Sequence, residues 1–122
     1  MSEILENLRV LDFSSGWPGS IATMVMSDFG AEVIKIEPPE GDPVRKLPQG
    51  LLWNRGKKSV VLDLTTKEGQ EKAQKLSQTA DVILESYTPG ETNKLGIDYE
   101  TLSKNKPDLI YCSITSFGQH AP

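Results

Sequence analysis

The sequence predicts an α/β fold: a parallel sheet of about five strands, order 3-2-1-4-5, with helices on both faces. Three observations lead there. Short β-branched segments alternate with segments whose apolar residues recur three and four apart. Turn residues, mostly Gly, Pro and Asp, separate them. Alternation of this kind requires crossover connections, and right-handed crossovers leave few strand orders.

Leu8–Ser14 (Leu-Arg-Val-Leu-Asp-Phe-Ser) is a short apolar run and reads as a buried first strand. Ser15-Gly16-Trp17-Pro18-Gly19 turns the chain, and Ser20–Phe29 follows as a helix that Gly30 stops. Glu32–Ile36 is β-branched and alternating, a second strand closed by Glu37-Pro38-Pro39. Between Pro38 and Trp53 stand four prolines and two glycines without a period, the signature of a long surface loop. Ser59–Leu64 reads as the third strand, and Thr65-x-x-Glu68 as a capping box opening a helix to about Gln78. Asp81–Glu85 is the fourth strand. Pro89-Gly90 leads into a short helical piece ending at Leu95-Gly96, and Asp98 caps another that Pro107 terminates. Asp108–Thr115 completes the set as a fifth strand. In such a sheet ligands bind beyond the carboxyl ends of the strands, where the order reverses. Ser14–Gly19 and Glu85–Gly90 are therefore expected to border one crevice.

The 122 residues suit one domain, taken here as 1–122, and 31 of them are Leu, Ile, Val or Phe, enough for a core. A net charge of −4 argues against a nucleic-acid platform, which needs a basic face. One cysteine, Cys112, excludes an internal disulfide, and with a single histidine it gives no zinc set of the Cys/His type. No apolar run reaches the ~20 residues of a membrane span, and Met1–Arg9 lacks a signal-peptide layout. The expectation is a soluble, cytoplasmic domain with no metal, no nucleic-acid partner and no membrane partner.

Candidate chemistry is sparse. The Ser15–Gly19 turn could present helix N–H groups to an anion, or be no more than a tight turn. It carries only Gly16 and Gly19, short of G-x-G-x-x-G, although Glu37 sits where a ribose-binding acid would lie. Asn54-Arg55-Gly56-Lys57-Lys58-Ser59 gathers three cations, which suits phosphate or a plain solvated face. Tyr87 could stack on a base beside Ser86, or pack as a half-buried aromatic. His120 reads as a tail residue. The seven aspartates mostly occupy strand ends, caps and turns, and no nucleophile with a base can be assembled from the sequence.

Taken together, Leu8–Ser14, Gly19-x-x-Ala22-Thr-Met24 and Asp28–Pro39 resemble the opening of the class III coenzyme A transferases. The likeness continues through Gly41-Asp-Pro43, Asn54–Ser59, Leu62-Asp-Leu64, Asp81-Val82, Pro89-Gly90, Leu95-Gly96, Ile110–Ser113 and Phe117-Gly-Gln119. It covers essentially the whole chain, in order. The family includes formyl-CoA transferase, carnitine CoA-transferases and α-methylacyl-CoA racemase.

The resemblance implies a Rossmann-like domain holding the nucleotide end of coenzyme A or acyl-CoA, taken as substrate. By position, Ser15, Gly16 and Trp17 would meet it through backbone, and Pro38 and Pro39 stand where some members place an arginine. Lys57 and Lys58 match basic positions at the phosphates, Ser86 and Tyr87 an Asn-Phe pair at the adenine, and Lys94 an arginine of the next helix. The family's reacting aspartate lies downstream of the Phe-Gly-Gln segment, so these residues are expected to bind without catalysing alone. Family enzymes are interlocked dimers, which implies an uncovered apolar surface and self-association. An NAD-type oxidoreductase domain and a non-enzymatic oligomerisation remnant are the rival expectations.

Overall fold

In a computed structural model, residues 3–120 are described. Five parallel strands form one sheet in the order β3-β2-β1-β4-β5. They are β1 (Arg9–Asp12), β2 (Glu32–Glu37), β3 (Lys58–Val61), β4 (Val82–Glu85) and β5 (Ile110–Ser113). Between them run α1 (Trp17–Asp28), α2 (Gly50–Trp53), α3 (Lys67–Ser77), α4 (Glu91–Leu95) and α5 (Tyr99–Ser103). The strand order and the parallel pairing match the expectation.

Alternation along the strands divides the core in two. Leu11, Phe13, Ile34, Ile36 and Ile83 face Leu64, Ala73, Ile97 and Leu102 from the side of α3, α4 and α5. Val10, Val33 and Val82 face the other way and pack with Ala31 and Met26. Toward the carboxyl end of this second face the apolar pattern gives way. Asp12 and Lys35, register partners on β1 and β2, are both buried there beneath α1.

Several boundaries differ from the sequence-based reading. α1 begins at Trp17 rather than Ser20, because Pro18 sits in its first turn, where a missing N–H costs nothing. The stretch 38–53 is not bare loop: Asp42 caps a 3-10 turn at Pro43–Lys46, and α2 follows. The cap of α3 is Thr66, not Thr65. Thr66 Oγ1 accepts from the Gly69 N–H, while Thr65 turns back to the Asp63 carboxylate and Glu68 pairs with Lys72. Among the described residues no helix is long and apolar enough to cross a membrane.

Candidate functional site

A crevice of about 650 Å³ opens at the carboxyl ends of β1, β2, β3 and β4. Its first wall is Phe13–Ser15, following β1. There the chain leaves the ladder, as the Ser14 N–H and hydroxyl both turn to Asp12 Oδ1. Gly16 then takes φ +85°, a backbone conformation that side chains resist, and starts α1. Gly19 lets the helix close down on the loop: a Cβ there would stand 2.1 Å from Ser14 Oγ.

The loop after β4 meets this wall directly. The Ser15 N–H donates to Ser86 Oγ at 2.9 Å, and the Ser86 hydroxyl lies 3.1 Å from the Ser15 carbonyl that accepts from it. The segments expected to share a crevice do so. Tyr87, Glu91 and Lys94 form the wall beyond it, Ile36–Pro43 the opposite one, and Leu62–Thr65 the rest. The Tyr87 N–H is anchored on Glu85 Oε2, and burial, with Glu85 and Glu91 close by, pushes its phenol up. That ring is neutral near pH 7 and half-buried, packing against the core while lining the crevice.

Charges around the crevice are mostly already paired. The Glu37 carboxylate is gripped by Arg45 Nε at 3.0 and 2.8 Å, which takes up the acid that could have bound a ribose. Asp42 lies 2.7 Å from Lys35 Nζ. Asp63 accepts from the Thr65 N–H and hydroxyl, which hold it below the usual carboxylate range. Lys94, exposed on α4, is the one cation among the described residues that line the crevice.

Of the expected site residues, Ser15, Pro39, Tyr87 and Lys94 line the crevice, along with Pro38. Gly16 and Ser86 support it from behind, and Trp17 stands exposed on the first turn of α1. Lys57 and Lys58 do not line it. They border a smaller hollow of about 240 Å³ beside Arg45 and Asn54. The Lys57 side chain is buried, its ammonium donating to the Ser20 carbonyl at 2.9 Å with Asp12 Oδ2 3.5 Å away, and burial draws its pKa down against the pull of Asp12. Lys58 points to solvent and pairs with Glu32. His120 is exposed near the end of the chain.

Sequence reasoning missed the polar cluster behind the first wall: Asp12, Ser20, Thr23, Lys35 and Asp42, all buried. One signal was available. Asp12 and Lys35 each interrupt an apolar strand run, at the carboxyl end where chemistry collects.

The profile of a family described as CoA-transferase family III matches residues 5–122. A Mycobacterium tuberculosis protein named "Probable fatty acyl-CoA transferase" is 40% identical over 97% of this chain and 33% of its own length. The succinyl-CoA:glutarate CoA-transferase of Mus musculus is 38% identical over 97% of this chain and 29% of its own. A crystal structure of the mycobacterial protein superposes with a TM-score of 0.93 at 41% identity, covering 98% of this chain and 35% of that one. A Brucella suis protein of the CAIB/BAIF family gives 0.91 at 38% identity over all of this chain and 36% of that one. The chain thus spans about a third of the length of the relatives it matches.

Proposed function

The chain belongs to CoA-transferase family III, and on that premise we propose that it holds the nucleotide end of coenzyme A or an acyl-CoA for an enzyme moving CoA between acyl carriers. The observation carrying this reading is the convergence of the Ser15 loop, Tyr87 and Lys94 on one crevice at the point where the strand order reverses.

Each feature has a part in holding such a ligand. The turn at Gly16 brings backbone N–H groups and the positive end of the α1 dipole toward phosphate. Tyr87 offers a flat face to adenine, with Ser86 fixing the loop beneath it. Pro38 and Pro39 supply a stiff apolar edge, and Lys94 a point charge for a phosphate oxygen. Trp17, exposed on the first turn of α1, is left free for the part of a longer ligand that extends past that helix. Lys57 acts indirectly, tying the Ser20 carbonyl and Asp12 together under the first wall. On this reading the crevice residues contribute binding energy to the reaction. The whole 1–122 region serves as this one module.

The rival dinucleotide reading loses its anchor, since Arg45 occupies Glu37. A thermal-shift comparison tests the choice, because a ligand that binds only the folded state raises its stability. Coenzyme A should raise the melting temperature in proportion to the logarithm of its concentration, and NAD should leave it unmoved. No shift with either would favour a module that only assembles with other protein.

A further inference from the structure

Four charged side chains lie buried together, Asp42 in the crevice wall and Asp12, Lys35 and Lys57 behind it, two of each sign. Lys35 is the one that reaches both walls. Its Nζ donates to the Ser14 carbonyl at 2.7 Å and stands 2.7 Å from Asp42 Oδ2 and 3.7 Å from Asp12 Oδ2. Ser14 belongs to the wall after β1, and Asp42 to the wall after β2. Asp42 Oδ1 in turn accepts from the Val44 N–H, so the 3-10 turn moves with it. Ser14 leads into Ser15, which the loop after β4 already holds.

Burying a lysine toward the carboxyl end of a sheet face is an expensive way to gain stability. Removing two charges from water costs several kcal/mol per ion, and apolar replacements of similar volume are often as stable. Methionine or leucine would fill this position with no desolvation cost. What an apolar side chain cannot do is bind a carbonyl on one loop and a carboxylate on another at once. We propose that Lys35 is a positioning residue: its ammonium pins the loop after β1 to the loop after β2 and so sets the width of the crevice. The role as a determinant of ligand affinity rests on the coenzyme A reading above.

The test is the pair Lys35→Met with Asp42→Asn. It removes one charge of each sign, leaves Asp12 facing Lys57, keeps an oxygen to cap Val44, and nearly conserves volume. Titration calorimetry with coenzyme A should show affinity falling on the order of tenfold, the scale of a lost preorganising contact. Hydrogen exchange at the Ser15 amide should quicken while the Val33 and Ile83 amides in the core strands keep their rates. A residue that merely stabilised the fold would raise exchange in those strands too, and affinity would return once charge balance was restored. Should the pair not fold, Asp42→Asn alone is read by exchange at Ser15 against Val33 and Ile83, since it severs the second loop while Lys35 keeps Asp12 and the Ser14 carbonyl. If the unsubstituted chain binds coenzyme A and the variant binds it equally well, the pin is refuted. If the unsubstituted chain binds none, the coenzyme reading falls instead.

Discussion

Tyr111, on β5, lies partly buried with its hydroxyl donating to the Ile97 carbonyl at 2.8 Å. Burial, with Glu85 nearby, pushes its phenol far above the ordinary 10.0. In the unfolded chain the phenol ionises near that ordinary value, while the folded chain keeps the proton. The folded state therefore binds more protons above about pH 10, and stability falls as pH climbs through that range. Tyr111→Phe should cost about 1 kcal/mol at pH 8, through the hydrogen bond lost to Ile97. Urea titrations should show the gap to the parent narrowing by about pH 11, where the parent alone carries the phenol's penalty. Lys94 is a second case at this scale. As the one cation among the described residues that line the crevice, its replacement in Lys94→Ala should weaken coenzyme A binding about three- to tenfold. Affinity measured against salt concentration should also become flatter in that variant. Lys58→Ala, outside the crevice, should leave binding unchanged. Tyr87 was legible in the sequence because it follows the end of a strand, whereas Lys94 entered only through the family resemblance. Lys35 was marked only as an interruption of an apolar run; nothing in Glu-Val-Ile-Lys-Ile says what partners a lysine buried in that strand will find.

Element boundaries show the same division between local and long-range information. α3 was predictable in position and length, but two adjacent threonines offer two caps, and the choice depends on Asp63. That carboxylate engages Thr65 and leaves Thr66 to receive the Gly69 N–H. Thr66→Ala should therefore cost about 1 kcal/mol in chemical denaturation. Thr65→Ala should cost less, since it removes only an exposed hydroxyl from Asp63. The 38–53 stretch was read as loop because its prolines obscure any period. Pro43 in fact suits the first position of a short turn, and Asp42 supplies the oxygen that starts it. The turn thereby places Arg45 on Glu37, a contact no local pattern announces.

For the whole molecule, alternation and crossover handedness narrowed the strand order to a few, of which the expected 3-2-1-4-5 is the one found, while what the sheet leaves exposed was not legible. β3 and β5 are its edges, and Val61, Ile110, Leu51 and Phe117 are each more than half exposed. Exposed apolar side chains of this size invite partners. Multi-angle light scattering of the isolated chain is expected to show mass rising above 13.4 kDa as concentration increases. A constant monomer mass would leave these residues as ordinary surface.

The central place of β1 has a further consequence for biosynthesis. Its partner on one side, β2, leaves the ribosome soon after it, but its partner on the other, β4, begins only at Val82. At translation speeds of roughly 5–20 residues per second, the unpaired side of Val10–Asp12 waits several seconds for its neighbour. During that interval the nascent polypeptide offers Leu11 and an open row of backbone groups to any passing strand, which makes this half-built sheet the stage at which a chaperone would matter most.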